Sequence, residues 1–337
     1  MTWSRVMKRL SILICCGLAA AAIPLGLTAL RMALFVHQPG SEDWQSKRII
    51  IKPGTGASEI ARMLEDQHLT ANARKFYLYC RYTKADKRLQ AGEYELAGYF
   101  TPKEIVDWLG TGRVVTRRLT VPEGSTVWEV ARILDEAGAA KEEEVLRLVK
   151  DETFIRSLNL NVPSLEGYLF PDTYFFSRSR GAHRVLRAMV RQFWRNYPMD
   201  WERRAGDRGL SLHQVVTMAS MVEKEAVMDE EKPLIAAVFF NRLKKGMRLQ
   251  SDPTAVYQLA DFDGPITRDH LRQDNPYNTY TRKGLPIGPI CSPGAKAMEA
   301  VLYPAETSYL YFVSKNNGTH HFSRTYAEHR RAINLYR

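Results

Sequence analysis

Uncharged apolar residues dominate positions 10–30, and basic residues lie among the first nine positions. About 20 apolar residues are enough for a helix that crosses a bilayer. Because basic residues mark the cytoplasmic end of such helices, the pattern predicts a transmembrane helix at 10–30 with residues 1–9 in the cytoplasm. The alternative is a cleaved signal peptide with Ala19–Ala22 as the small-residue site.

A second pattern, strand then turn then helix, occurs twice. Lys47–Thr70 reads KRIIIKPGTGASEIARMLEDQHLT, and Arg117–Ala140 reads RRLTVPEGSTVWEVARILDEAGAA. In both, β-rich residues precede a turn with proline and glycine and then an amphipathic helix. Neither segment alone buries much apolar area, so we expect each to pack against a neighbour. We predict a linker at 31–46, an α/β region of two related units at 47–155, and a C-terminal domain at 156–337.

The C-terminal domain is predicted to be mostly helical with a small sheet. Apolar residues at helical spacing cover Val185–Tyr197, Ser211–Ala226 and Pro233–Lys245. A β-hairpin with its turn at Asn316–Gly318 follows Tyr309. The predicted fold class of the whole chain is therefore α+β.

The stretch SLHQVVTMASMVEKEA (Ser211–Ala226) holds the main chemical candidate. Ser211 and Gln214 match a capping box, and the apolar residues that follow make one stripe. Glu223 points close to this stripe, where a carboxylate is costly to ionise. A carboxyl group that keeps its proton near neutral pH is the general acid that glycosidic cleavage needs. A solvated boundary position is the alternative for Glu223, and Glu225 is expected to be solvated.

Composition narrows the possible partners. The chain has 337 residues, a net charge of +11, 45% hydrophobic and 25% charged residues, which is enough for two or three domains with real cores. A basic excess suits nucleic acid, an anionic membrane surface or an anionic polymer, but no nucleic-acid motif is present. Cys15 and Cys16 lie in the apolar run, and Cys80 and Cys291 could pair only in an oxidising compartment.

Five blocks of sequence resemble, in order, the endolytic murein transglycosylase family, also called YceG-like. They are EGYLFPDTY (Glu166–Tyr174), MASMVEKEA (Met218–Ala226), FFNRLKKGMRLQSDPT (Phe239–Thr254), NPYNTYTRKGLPIGPICSPG (Asn275–Gly294) and YLYFVSKNNGTHHFS (Tyr309–Ser323). The resemblance implies a cofactor-free lyase that cleaves peptidoglycan glycan strands between N-acetylmuramic acid and N-acetylglucosamine and leaves 1,6-anhydro ends. It implies that Glu223 is the catalytic acid.

The resemblance also implies a location and a setting. A single N-terminal helix would anchor the enzyme in the bacterial inner membrane, with the catalytic domain in the periplasm. Cell-wall synthesis proteins are possible partners. The two related units look like LysM glycan-binding modules, and a plain packing unit without a ligand is the alternative.

Candidate substrate contacts come from the same blocks. Gln250 and Asp252 lie on the polar side of an extended segment, and Asn278 and Tyr280 lie in a long loop rich in proline and glycine, a kind of loop that is often functional. For Asp252 the alternative is a helix N-cap followed by Pro253.

The last candidates are Glu166 and Tyr168, which lie in the block EGYLFPDTY, and three histidines. Tyr168 suits either a sugar groove or the core, and Glu166 is a candidate second carboxylate. His320, His321 and His329 have no ligand spacing, so no metal site is predicted.

Two other functions stay open at this point. One is a lysozyme-like hydrolase with water as the nucleophile and Asp252 or Glu166 as a second acid. The other is a membrane-anchored scaffold that binds peptidoglycan without cleaving it.

Overall fold

The computed structural model describes residues 26–41, 44–177, 181–259 and 262–336. The chain divides into two compact units, Met1–Thr116 and Arg117–Arg337. This division differs from the predicted boundary after residue 155. The second of the two related segments belongs to the larger unit, because its strand and helix bury their apolar residues in the core of that unit.

The predicted membrane span falls mostly outside the described residues. Helix α1 is described from residue 26 to residue 37. Within the described ranges, no helix is both long enough and apolar enough to cross a membrane.

The smaller unit packs helices against a two-stranded sheet. Strands β1 (Ser46–Ile51) and β2 (Gly92–Ala97) pair antiparallel, with Ile49 opposite Tyr94. Three helices follow or separate these strands: α2 (Ala57–Asp66), α3 (Ala73–Tyr82) and α4 (Pro102–Thr111). A capping box of Thr101 and Glu104 begins α4.

The larger unit is mostly helical with two small antiparallel sheets. Strand β3 (Arg117–Thr120) pairs with β4 (Thr173–Phe176), and β5 (Tyr311–Ser314) pairs with β6 (His320–Ser323) as the predicted hairpin. The mixture of helices and small sheets confirms the predicted α+β class. The helices are α5 (Val127–Glu136), α6 (Glu142–Leu148), α7 (Glu152–Arg156), α8 (Ala182–Arg195), α9 (Met199–Asp207), α10 (Leu212–Glu225), α11 (Lys232–Lys244), α12 (Asp252–Val256), α13 (Arg268–Arg272), α14 (Ala295–Leu302) and α15 (Tyr326–Tyr336).

The two related segments form the same kind of local structure. In each, an edge strand leads into a helix, β1 into α2 and β3 into α5. The two helices bury residues at matching positions of the repeat: Ile60, Ala61 and Leu64 in α2, and Val130, Ala131 and Leu134 in α5. The repeat therefore encodes one packing unit, which is used once in each compact unit.

Helix α10 forms the centre of the larger unit. The predicted capping box is present: Gln214 N donates to Ser211 Oγ at 3.2 Å, and Ser211 N donates to Gln214 Oε1 at 2.9 Å. The prediction of a single apolar stripe is wrong, because every residue from Val215 to Val222 is buried. Neighbouring helices α9, α11, α12 and α14 cover several sides of α10.

Truncation of Met218 to alanine tests how tightly this centre is packed. Met218 is fully buried, so Met218→Ala should lower the free energy of unfolding by about 2–5 kcal/mol, as core methionine truncations do. Urea denaturation measures the change. Leu335→Ala is the matched control, because Leu335 is 73% exposed; an equal loss in both variants would contradict the packing.

Candidate active site

The last turn of α10 presents two carboxylates in different surroundings. Glu223 and Glu225 are both in this turn, and α10 ends at Glu225. Residues two positions apart on a helix point in directions about 200° apart. The two side chains therefore reach different neighbours.

Glu223 faces a buried lysine and a helix N-terminus. Its Oε1 lies 3.1 Å from Nζ of Lys232, which also binds Asp229 at 2.8 Å. Its Oε2 accepts a hydrogen bond from the backbone N–H of Gly294 at 3.0 Å. The side chain of Glu223 is only 7% exposed. Glu223 is therefore held by one lysine and one backbone donor, both from outside α10.

A third carboxylate, that of Glu123, joins this cluster from the turn before α5. Its Oε2 lies 3.9 Å from Lys232 Nζ, and burial together with the nearby charge of Glu223 raises the pKa of Glu123. A side chain at position 294 would collide with the Glu123 carboxylate, since a Cβ there would lie 1.8 Å from Oε1. No local pattern marks Glu123 or Lys232 as functional, because the two residues become neighbours of Glu223 only through the fold.

Glu225 faces a less compensated environment. The expectation that it is solvated is wrong. Ser251 Oγ donates to Glu225 Oε1 at 2.6 Å, and burial raises the pKa of Glu225 to about 7, with a further rise from the Asp252 carboxylate. The Ser251 hydrogen bond and the charge of Arg242 lower the pKa of Glu225 but do not offset burial. Glu225 can therefore hold a proton near neutral pH, as a general acid must.

The structure brings three of the predicted contact residues together beside Glu225. Asp252 accepts a short hydrogen bond from Tyr280 Oη, and Gln250 Oε1 accepts one from the buried Arg242 at 3.3 Å. Gln250 has a positive φ of 52°, a left-handed conformation that is uncommon outside glycine.

The alternative prediction for Asp252, a helix N-cap, is wrong. Ser251 occupies the N-cap position of α12 without a side-chain cap, because its hydroxyl donates to Glu225. The carboxylate of Asp252 is engaged by Tyr280 instead. The local sequence favoured a helix cap at Asp252. Its carboxylate instead accepts a hydrogen bond from Tyr280, which lies 28 positions later in the chain.

A basic cavity adjoins this cluster. Tyr280 lines it, and its volume is about 440 Å³. The other lining residues are Arg248, Arg268, Leu271, Arg272 and Thr281. Three guanidinium groups around one opening suit anionic groups on a ligand.

The remaining candidates lie in the interior. Asn278 is fully buried and its Nδ2 donates to Gln273 O at 2.7 Å, which holds the long loop together. Tyr168 is fully buried, with Oη hydrogen-bonded to His213 Nδ1 at 3.0 Å, so the core alternative holds for it. Glu166 is 2% exposed, which places its carboxylate away from a surface substrate.

Burial also raises the pKa of Glu166 to about 7, although the carboxylate accepts three hydrogen bonds. The donors are Val127 N at 3.1 Å, Gly167 N at 3.2 Å and Tyr257 Oη at 2.8 Å. Glu166 thus connects the start of α5 with the residue that follows α12.

Cys80 and Cys291 are free and buried. The pairing considered from sequence is therefore absent from the described part of the chain.

Comparison with known proteins fits this architecture. Residues 49–335 match the family model described as YceG-like family. A Bacillus subtilis protein named endolytic murein transglycosylase is 34% identical over 86% of this chain and 84% of its own length. Two Streptococcus pneumoniae proteins of the same name are 29% identical over 86% of this chain, which spans 59% of their length.

A solved structure agrees with the sequence matches. The crystal structure of a YceG-like protein from Listeria monocytogenes aligns with a TM-score of 0.59 and 34% identity, over 85% of this chain and 98% of that one. The chain belongs to the YceG-like family, so the recognised resemblance is confirmed. The prediction of an enzyme of the lytic transglycosylase class is confirmed at the level of the family.

The raised pKa values predict a particular pH dependence of stability. Glu166 and Glu225 bind a proton more tightly in the folded chain, with pKa values of about 7, than at their ordinary value of 4.5. Their contribution to the free energy of unfolding is therefore largest below about pH 4.5 and is lost as the pH rises through 7. Glu225→Gln should reduce the difference in stability between pH 5 and pH 8 by about 1–3 kcal/mol.

Urea denaturation of each variant at the two pH values measures this difference. Glu230→Gln is the matched control, because Glu230 is exposed on the turn that precedes α11. A Glu225→Gln variant with the pH dependence of wild type would contradict the raised pKa of Glu225, which is caused by burial and the nearby Asp252 carboxylate.

Proposed function

We propose that this chain is an endolytic murein transglycosylase that cleaves peptidoglycan glycan strands between N-acetylmuramic acid and N-acetylglucosamine. The relatives that carry this enzyme name support the reaction class. The observation that carries the proposal is the carboxyl group of Glu225, which has a pKa of about 7 and lies beside the polar residues Gln250, Asp252 and Tyr280.

The reaction needs one group that gives a proton and then takes one. Glu225 protonates the leaving oxygen of N-acetylglucosamine as the bond from the muramic C1 atom to that oxygen breaks. The muramic C6 hydroxyl attacks C1, and Glu225 accepts its proton. A 1,6-anhydro ring forms and no water is consumed. Glu225 ends protonated, as it began, with the proton of the C6 hydroxyl in place of the one given to the leaving oxygen. A general acid of this kind contributes about 10²–10⁴-fold to a rate.

Glu223, which the family resemblance assigns as the acid, is the alternative for the same role. Its carboxylate is held by Lys232 Nζ and by the backbone N–H of Gly294, whereas the carboxyl group of Glu225 is held by the Ser251 hydroxyl. The surroundings of Glu225 favour the protonated form. We therefore assign the role of general acid to Glu225. The Glu223→Gln variant is compared with Glu225→Gln to test this assignment.

A lysozyme-like hydrolase is the second candidate, and one observation favours it. Asp252 lies near enough to Glu225 for its charge to raise the pKa of Glu225. A pair of carboxylates in one site is the usual arrangement for hydrolysis of glycosides. In that reaction Asp252 would act on water or on the sugar.

Isosteric variants separate these assignments. Glu225→Gln should lower the cleavage rate of purified glycan strands by about 10²–10⁴-fold, because glutamine cannot donate the proton. Products are identified by mass spectrometry in water enriched in ¹⁸O. Anhydro ends without ¹⁸O are expected from the transglycosylase, and reducing ends that carry ¹⁸O are expected from a hydrolase.

Three controls distinguish the possible outcomes of this experiment. Glu223→Gln tests the alternative acid: full activity of Glu225→Gln and loss in Glu223→Gln would overturn our assignment. Glu230→Gln, on the exposed turn before α11, should cleave like wild type. Binding of strands without cleavage by wild type and every variant would place the chain in the scaffold class.

The same proposal includes a membrane anchor and glycan binding by the related units. The apolar run at 10–30 supports the anchor. The repeated strand and helix, with matching buried positions, support two copies of one LysM-like module. An active site tethered to the inner membrane on the periplasmic side would reach nascent strands and the proteins that make them.

Removal of residues 1–30 tests the anchor. The full chain should remain with membranes after alkaline carbonate extraction, whereas the shortened chain should be released, because about 20 apolar residues anchor a chain stably. Equal release of both chains would contradict the anchor, and processing of the full chain near Ala19–Ala22 would favour the cleaved signal peptide.

A further inference from the structure

The basic cavity of the larger unit collects three arginines, and we call it the arginine cavity. Arg248 comes from the segment that precedes α12, and Arg268 and Arg272 come from α13. None of the described lining residues is acidic. The cavity therefore presents positive charge without a carboxylate of its own.

The protein supplies no counter-ion to these arginines within the described ranges. All three are exposed, and none of their guanidinium groups forms an ion pair or a hydrogen bond with a described residue. Two nearby carboxylates in the chain are engaged elsewhere: Asp274 binds Arg282 at 3.2 Å, and Asp252 accepts from Tyr280. The positive charges of the cavity therefore stay available to a ligand.

The arrangement is electrostatically unfavourable without an anion. Arg268 and Arg272 are four residues apart on α13, so their side chains lie on the same face of the helix. Like charges at this spacing destabilise a helix, and Arg248 adds a third positive charge at the same opening. A bound anion would remove this repulsion.

Buried polar side chains hold both elements that carry the arginines. Asn278 is fully buried, and its Nδ2 donates to Gln273 O at 2.7 Å, at the end of α13. Arg242 is buried, and its Nη1 donates to Leu249 O at 2.8 Å, next to Arg248. Because both backbones are already fixed, a ligand that binds here has little of the chain to order.

A diphosphate group fits this cavity better than a single carboxylate does. A guanidinium group donates parallel hydrogen bonds to a pair of phosphoryl or carboxylate oxygens. One arginine can engage both oxygens of a carboxylate, which leaves the other arginines without an acceptor. Two linked phosphoryl groups offer more oxygens and more charge in a compact volume, and the cavity of about 440 Å³ has room for them.

We propose that the arginine cavity binds a diphosphate group through Arg248, Arg268 and Arg272. This inference goes beyond the proposed reaction and does not depend on it, because binding is measured without cleavage. A soluble diphosphate and a diphosphate carried on a membrane lipid present the same group to the arginines. The experiment distinguishes these two sources.

Calorimetric titration of the full chain with inorganic diphosphate, in nanodiscs of neutral phosphatidylcholine, tests the site. Arg272→Gln should weaken binding about 10-fold, because a charge-assisted contact is lost. Arg272→Lys keeps the charge but not the planar fork, so it should recover only part of the affinity. Arg203→Gln, at an exposed arginine of α9, should bind like wild type.

Malonate is the matched ligand control, because it carries two linked carboxylates in place of two linked phosphoryl groups. It should bind more weakly than diphosphate. Melting temperatures establish that each variant is folded, and loss of one of two like charges on α13 should not lower them. No binding of diphosphate by wild type, equal binding by Arg272→Gln, or binding of malonate as tight as that of diphosphate would overturn the proposal.

A second titration identifies the source of the group. It uses nanodiscs that also contain geranylgeranyl diphosphate, with phosphatidylglycerol in its place as the control for membrane charge. Weaker apparent binding of inorganic diphosphate in the first nanodiscs alone would support the site and assign it to a lipid-borne diphosphate. Equal binding in both would support the site and assign it to a soluble diphosphate.

Discussion

The complete burial of helix α10 is the constraint on which the larger unit depends. Every residue from Val215 to Val222 is enclosed, so the helix cannot rotate or slide without opening the core, and its last turn has one fixed position. Two carboxylates leave that turn in different directions. Glu223 meets a buried lysine and a backbone N–H. Glu225 meets a serine hydroxyl and the nearby charge of Arg242, and burial still raises its pKa to about 7. Two carboxyl groups two residues apart therefore have different partners.

Arg242 joins the polar residues near Glu225 to the rest of the unit. Its guanidinium is buried, donates through Nε to Leu310 O at 2.7 Å and through Nη1 to Leu249 O at 2.8 Å, and lies 5.1 Å from the ring centroid of Tyr311. Arginine can serve several acceptors at once because its donors form a rigid fork. The β5–β6 hairpin and the segment that carries Gln250 are thereby held by one side chain, which favours a preorganised site.

Local patterns in the sequence predicted the local structures. The capping box at Ser211, helix α11 and the β5–β6 hairpin all depend on residues a few positions apart. The environment of Glu225 could not be predicted in this way, because Ser251 comes from 26 residues further along the chain. For the same reason Asp252 looked like a helix cap and Asn278 like a sugar contact. The conformation of the long loop that contains Asn278 and Tyr280 determines the hydrogen-bond partners of both residues.

The account stands on the claim that the carboxyl group of Glu225 keeps a proton when the site is ready to react. Infrared difference spectroscopy of the full chain between pH 5 and pH 8 detects protonated carboxyl groups directly. We predict a carboxyl signal that Glu225→Gln abolishes and Glu223→Gln leaves in place, beside a separate signal from the buried Glu166. A signal that Glu225→Gln leaves unchanged and Glu223→Gln removes would contradict the account and return the acid to Glu223.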